Sequence, residues 1–599
     1  MKRADRVVPN DNRAPAGVRR NGVLTLNLEA RAATWYPDGD DGPSLVVPVF
    51  AEVGRAPQNP GPLIRVPAGT RIHVSIRNSL RDSVLVVYGL HARPGAIDDT
   101  IQVAVGATRR LSFIAGASGT YFYWATSTHQ PIADRGGSDS QLQGAFIVDE
   151  ANRPPQPDRI FVLGSWIGPD DSRHFSETEL RVINGLSWPH TERMTTVVGD
   201  TVRWRWVNPT DSPHPMHLHG FYFDVTSRGS WAADTVLPVA DRARVVTEMP
   251  PPGGTFAMTW VPTEPGNWML HCHIAFHTSF YLSAWAVRDP ADPIALDPMK
   301  DPVNGMRGMV LGITVKPGRS TARRPEVVDG ARAIRLIAQT APKRWHGELD
   351  EMAFVQQEGS VPPAADSVPT PSSLLVLRRG EPVRVTIVNR TRAPTGVHWH
   401  GIELPSYPDG VPGWSGIGSR TAPMIAPNDS FVAAFTPTRS GTFIYHAHSN
   451  ETFQVNLGLY GGLLVIDSGR YDPTHERIII LGGDGPGGKP GRINGRLHPD
   501  TVRMKVGETY RIRLIEIMPD WTIIVRMMRG DSVVHWKALA KDGAELPPRT
   551  QVMRRAELMT GPGQTMDFEY RPTTPGLLNL RVRHRVDNWS NDLPIVVER

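Results

Sequence analysis

The 599-residue chain has one cysteine, Cys272, so no disulfide can form within it and its stability does not come from a cystine framework. It also lacks any run approaching the ~20 apolar residues of a membrane-crossing helix, which excludes a helical span. The opening segment, residues 1–17, carries basic residues but no apolar centre, so no secretory signal is expected there. A charge excess is missing too. Lys+Arg 65 against Asp+Glu 60 leaves +5, and the arginine pairs at 19–20, 109–110, 323–324 and 554–555 are dispersed. Such a balance is a solvated surface and not a nucleic-acid-binding stripe. What the chain has in quantity is Gly (56) and Pro (55), with short Val/Ile/Leu runs between them, which favours strands and turns over helices. At roughly 100–150 residues per domain, the length suggests about four domains.

Internal repetition sets the domain plan. Gly61–Leu80, Ser118–Ser127 and Gly144–Glu150 answer to Leu374–Thr391, Ser440–Ser449 and Gly462–Asp467. The segments between repeat as well: Ile183–Trp206 resembles Ile493–Leu514, and Pro251–Leu270 resembles Gly561–Leu580. The order is A-B-A′-B′. Alternating stretches bounded by turn residues read as antiparallel strands, which makes the chain all-β, with four consecutive sandwich or barrel domains at about 20–152, 153–310, 330–470 and 471–599. The segments Asp289–Pro302 and Lys316–Gly330, rich in Pro, Asp and Arg, read as the connection between halves.

The histidines are concentrated. Ten of the 20 fall in four short clusters containing His214, His217 and His219; His271, His273 and His277; His398 and His400; and His446 and His448. A His-X-His pair on a strand puts both imidazoles on one face, because side chains alternate with period two. Four such pairs exist: 217/219, 271/273, 398/400 and 446/448. Imidazoles are costly to bury without partners, so packing gives no reason for this clustering, and metal binding does. Cys272 lies between His271 and His273 and points to the opposite face, so thiolate and imidazoles serve two sites joined by a few covalent bonds. Cys272 with His277 and His214 supplies the ligand set of a blue-copper electron-transfer centre. The repeats act as an internal control: aligned by sequence, His398–His400 fall opposite Val86–Tyr88, His446/His448 opposite Trp124/Thr126, and His271–His273 opposite Arg581–Arg583. Only the second and third domains carry ligands, and the metal cluster is expected where they meet.

At these residues the chain resembles the multicopper oxidase family, the laccase-like enzymes built from cupredoxin domains. The motifs HWHG, HxH, HPxHLHG and HCHxxxH carry the resemblance, and the cupredoxin-like pattern covers nearly the whole chain. The resemblance implies four Greek-key cupredoxin-like domains and four copper ions per chain. His214, Cys272 and His277 would bind type 1 copper, and His217 and His398 type 2. His219, His271, His273, His400, His446 and His448 would hold the type 3 pair. It implies dioxygen and a small reducing substrate as partners, and a secreted or periplasmic setting. The motif order is permuted relative to ordinary laccases, as in two fused two-domain units with alternate sites lost. Whether the cluster forms within one chain or between chains stays open. Leu282, five residues after His277, stands at the axial position and cannot coordinate, which implies a raised type 1 potential. Asp409 matches the acidic residue after HWHG and is the expected proton donor. The second acid that many relatives carry after HCH is missing, with Ala275 and Phe276 in its place.

The expected activity is laccase-like: one-electron oxidation of a phenolic or other aromatic donor coupled to reduction of dioxygen to water. A cuprous or ferrous oxidase would share every ligand, with Met299, Met306 and Met309 as possible soft contacts, although packing explains methionines as well. A copper nitrite reductase would not need eight histidines beyond the type 1 set, and a non-catalytic copper-binding protein would not need a thiolate between sites. A donor is expected to dock at a solvent-facing His277 or His214.

Overall fold

A computed structural model describes residues 5–40, 42–168, 179–278, 306–318, 330–345, 349–485, 491–519, 522–586 and 588–599. Leu282, Tyr281 and Met299, and most of the two segments read as connections, lie outside the described residues.

Alternation in the sequence becomes alternation in burial. Arg71–Asn78 and Val383–Asn389 turn every second side chain into a core and the rest outward, as a half-covered strand does. The resulting sheets pair into four consecutive cupredoxin-like sandwiches. The first packs a seven-stranded sheet on a five-stranded one, the second seven on seven, the third four on four and the fourth seven on six. Three large apolar cores fill the later sandwiches, and a fourth fills the first. Among the described residues no helix is long and apolar enough to cross a membrane.

The sheets correct the antiparallel expectation, because among the described residues each sandwich contains at least two parallel pairs. Val23–Asn27 runs parallel to Arg71–Ser75 and Ile64–Pro67 to Phe146–Asp149 in the first. Arg332–Ala338 with Val383–Asn389, and Leu375–Arg378 with Leu463–Ile466, repeat that pattern in the third. The second and fourth do the same. The cause is topological: Greek-key connections cross between sheets, and a strand returning from the far sheet can arrive parallel to its neighbour.

Two features set the second and third sandwiches against each other. Gly416–Ile417 and Arg420–Thr421, from the third, join a sheet of the second through Asn267 opposite Gly416. In addition, the Trp414 indole N–H donates to the Trp268 carbonyl at 2.8 Å. The strand carrying His271 and Cys272 is thereby tied to the loop that follows the HWHG motif.

Candidate metal centre

Strand register sets the first distances. Met216–Leu218 pairs antiparallel with Gly266–Cys272, so that His217 faces His271 and Met216 faces Cys272. Val397–His400 pairs with Gly441–Ala447 and puts His398 opposite His446. The rings of each His-X-His pair lie on one side, with centroids 4.9 to 6.1 Å apart. All ten cluster histidines are buried, and a single chain brings them together. Nitrogens of His219, His271 and His448 converge within 4.8 Å of one another, as do those of His273, His400 and His446. The His217 Nε2 and His398 Nε2 atoms stand 3.3 Å apart.

The outward nitrogens show what the inward ones can do. Nδ1–H donates to the Val246 carbonyl from His217 (3.1 Å), to the Cys272 carbonyl from His271 (2.9 Å), to the Asp409 carbonyl from His398 (3.1 Å) and to the Ala447 carbonyl from His446 (2.8 Å). Nδ1 of His219 donates to Asp409 Oδ2 at 3.1 Å. Each bond puts the proton outside and leaves Nε2 as a bare lone pair inside. The lone pairs then confront each other, with His219 Nε2 3.0 Å from His271 Nε2. Among the described residues, Nε2 of His273, His446 and His448 and Nδ1 of His400 have no hydrogen-bond partner. Buried lone pairs aimed at one another repel unless a cation lies between them, so this donor set fits metal. Burial first, and the neighbouring imidazoles second, hold His217, His219, His273, His400 and His448 well below the usual histidine range.

On the opposite face of the Cys272 strand sits the second group. Cys272 Sγ lies 3.7 Å from His214 Nδ1 and 3.3 Å from His277 Nδ1, and the two nitrogens are 3.0 Å apart. The Thr210 hydroxyl donates to Asn208 Oδ1 and accepts the His214 Nε2–H at 2.8 Å, which turns Nδ1 inward. Burial pushes the Cys272 thiol up to about 12, so without metal the sulfur keeps its proton at neutral pH. One expectation needs correction here. Neither His214 nor His277 faces solvent; both are buried, the latter in the short turn Ala275–Thr278. Met309 and Met306 are also buried, in apolar clusters, and act as packing residues.

Asp409 lies within the cluster. It is fully buried, accepts the Ser415 hydroxyl at 2.8 Å and the His219 N–H, and its other oxygen stands 3.3 Å from His398 Nδ1. Sequence reasoning missed Glu451. Three residues past His448, its buried carboxyl has an oxygen 3.4 Å from His448 Nε2 and, among the described residues, no hydrogen-bond partner on that oxygen. Burial pushes this carboxyl up to about 8. The helical turn that carries it packs against Ala275–Thr278, the segment where the expected second acid is absent. The spacing to His448 was the available signal.

The repeats show what replaces ligands. Tyr88 pairs with Trp124 as His398 pairs with His446, and Val87 with Ala125 as Val397 with Ala447. The sequence alignment that set His398–His400 against Val86–Tyr88 is therefore off by two residues, because strand register and not local similarity decides equivalence. Tyr88 and Trp124 stack at 4.0 Å with planes 2° apart, and Trp231 meets Trp124 edge-on. In the fourth sandwich Val525 faces Val582 where Met216 faces Cys272, and Arg526 faces Arg581 where His217 faces His271. Those arginines pair with Glu557 and Asp592.

Residues 154–292 match one multicopper oxidase family profile, and residues 53–153 and 355–470 both match a second. One profile matching two separated segments is what a duplicated domain requires. A copper resistance protein A homolog of Pseudomonas syringae pv. tomato is 42% identical over 112 residues, 18% of this chain and 18% of that protein. Laccase-1 of Botryotinia fuckeliana is 32% identical over 127 residues, 19% of this chain and 23% of that one. The matched stretch spans under a quarter of either relative's length. Among solved structures, the blue copper oxidase from Nitrosomonas europaea is similar at 22% identity and a TM-score of 0.35, over 45% of this chain and 86% of that one.

Proposed function

Because the chain belongs to the multicopper oxidase family, we propose that it couples one-electron oxidation of a phenolic or other small aromatic donor to the four-electron reduction of dioxygen to water. The observation that carries the reading is the strand ending in Cys272. Its sulfur meets two imidazole nitrogens on one face, while His271 and His273 reach the histidine cluster on the other. His214, Cys272 and His277 would hold a type 1 copper, and His217 and His398 a type 2 copper. His219, His271 and His448, with His273, His400 and His446, would hold a type 3 pair, making four coppers per chain. On this reading the domains at 153–310 and 330–470 carry the ligands, and those at 20–152 and 471–599 have lost them. Copper held there supplies electron acceptance at the cysteine and dioxygen reduction at the cluster.

The chain's own residues do the rest. Backbone carbonyls and Asp409 hold the outer N–H groups and so fix ring orientation and basicity. With His214 and His277 buried, a donor passes its electrons through protein and not at an open imidazole edge. Water formation also needs protons in a closed site. Among the described residues, Asp409 and Glu451 are the acids with a carboxylate oxygen beside a cluster histidine, and Glu451, raised to about 8, holds a proton on its carboxyl at neutral pH. Asp409→Asn is expected to keep copper and cut oxygen uptake by about 100-fold. Glu451→Gln is expected to cut it by about 10-fold and to flatten the pH–rate profile on its alkaline side. Metal analysis beside oxygen consumption checks both, and copper loss matching the rate loss would remove either residue from proton delivery.

A second reading, oxidation of cuprous or ferrous ion, is favoured by the relative named for copper resistance. Oxygen uptake by the copper-loaded protein, compared between a phenol and each metal ion and checked for peroxide, separates the two. A secreted or periplasmic setting goes with either reading.

A further inference from the structure

The fourth domain has none of the ten clustered histidines, yet it reaches the rings of the cluster. We propose that it is a working part of the metal centre, in which Asp542 positions the ring of His217, with Gly563 closing the face beside His273 and His400. The inference rests on the reading of His217 as a metal ligand.

Asp542 Oδ2 accepts the Thr247 N–H at 2.9 Å and the Val246 N–H at 3.2 Å, and Oδ1 accepts the Thr565 N–H at 3.1 Å. The Tyr222 hydroxyl donates to the Asp542 carbonyl, and Lys541 pairs with Glu248 at 3.1 Å. All of these contacts except the one to Thr565 join the fourth domain to the second. The peptide they hold is the one that orients His217: the Val246 carbonyl accepts its Nδ1–H, and the Thr247 hydroxyl lies 3.2 Å from the same nitrogen. Thr247 also stands opposite His217 in the strand ladder. Its hydroxyl donates in turn to the Gly563 carbonyl at 2.9 Å. Gly563, at φ +79°, is pressed so close that a Cβ there would lie 2.6 Å from His273 and 2.8 Å from His400. Asp542 itself has φ +51°, a conformation that Asp and Asn tolerate and most residues do not. A carboxylate taking three backbone N–H groups, two of them across a domain boundary, in a left-handed conformation, is an anchor, and its nearest dependent is a cluster imidazole.

Asp542→Gly keeps the left-handed backbone and removes the acceptor; Asp542→Asn keeps both the backbone and one oxygen. In the copper-free protein, Asp542→Gly should speed hydrogen exchange at Val246 and Thr247 by at least tenfold, with Asp542→Asn close to wild type. In the copper-loaded protein, Asp542→Gly should weaken type 2 copper about 10-fold and broaden its electron paramagnetic resonance signal, while the Cys272-dependent blue band keeps its intensity. Unchanged exchange, or faster exchange with an unchanged type 2 signal, would overturn the proposal. Equal loss of type 2 signal and blue band would also overturn it, since that is general destabilisation. A wild-type protein with no type 2 signal would fall on the copper assignment of His217, and the exchange measurement would still decide whether Asp542 anchors the peptide.

Discussion

Cys272→Ser should leave a folded protein that has lost its blue colour and essentially all its oxygen uptake. The sulfur is buried in an apolar core, so an isosteric hydroxyl there costs ~1–3 kcal/mol, which a domain of this size absorbs. The chemistry is less forgiving. A serine hydroxyl is a hard, weakly acidic donor that does not replace a thiolate at a His2Cys copper site, and the shortest covalent link from that site to His271 and His273 runs through residue 272. Uptake should fall by ~1000-fold or more, a barrier increase of about 4 kcal/mol. The histidine cluster lies on the other face of the strand and does not use the sulfur, so about three of the four coppers should remain by metal analysis. Retained uptake with a phenol would show that electrons reach the cluster by another route.

Removing the metal should make the protein acid-labile near pH 5.5. Burial lowers nine cluster histidines, to about 3 at His214 and His446, to about 4 at His271, and well below the usual range at His217, His219, His273, His277, His400 and His448. A histidine whose folded pKa is depressed keeps the folded state from taking up a proton that the unfolded chain takes up near pH 6.5. Its contribution to stability is therefore intact above that pH and is lost as pH falls below it. One unit below, each site costs about 1.4 kcal/mol, and nine cost on the order of 12 kcal/mol, as much as the whole stability of a typical domain. Copper occupying the same lone pairs holds the protons off, so the loaded protein should unfold at distinctly lower pH. Glu451 acts in the opposite sense, since a carboxyl raised to about 8 loses stability as pH rises from 4.5 through 8. The copper-free protein should thus be most stable close to neutrality. Circular dichroism across pH 4 to 9, with and without copper, reads both limbs; coincident acid transitions would mean that the imidazoles are not buried in the copper-free state.

The parts of the site legible in the sequence follow from the period of a strand. His217 with His219, and His398 with His400, share a face because residues two apart must. Cys272 falls on the other face from His271 for the same reason, and the pairing of Met216 with Cys272 and His217 with His271 follows it. Where a site depends on register between distant strands, sequence similarity misled. Tyr88 takes the place of His398 because hydrogen-bonded ladders align it with Trp124, which local similarity does not encode. The burial of His277 and His214 and the parallel strand pairs likewise depend on how separate segments pack.

The amino-acid sequence by itself determined the duplicated all-β plan, the ten imidazoles and one thiol that can hold metal, and the absence of those ligands in the first and last domains. These are local properties, carried by residue identity and by spacing within single strands. Tertiary structure decided that one chain brings the ten imidazoles together, that Glu451 lies beside His448 on a turn packed against the segment where the acid after HCH is missing, and that Asp542 of the fourth domain holds the peptide beside His217. Those facts join residues up to some three hundred positions apart, and such contacts are fixed by the packing of one sandwich against another and not by any pattern within a segment.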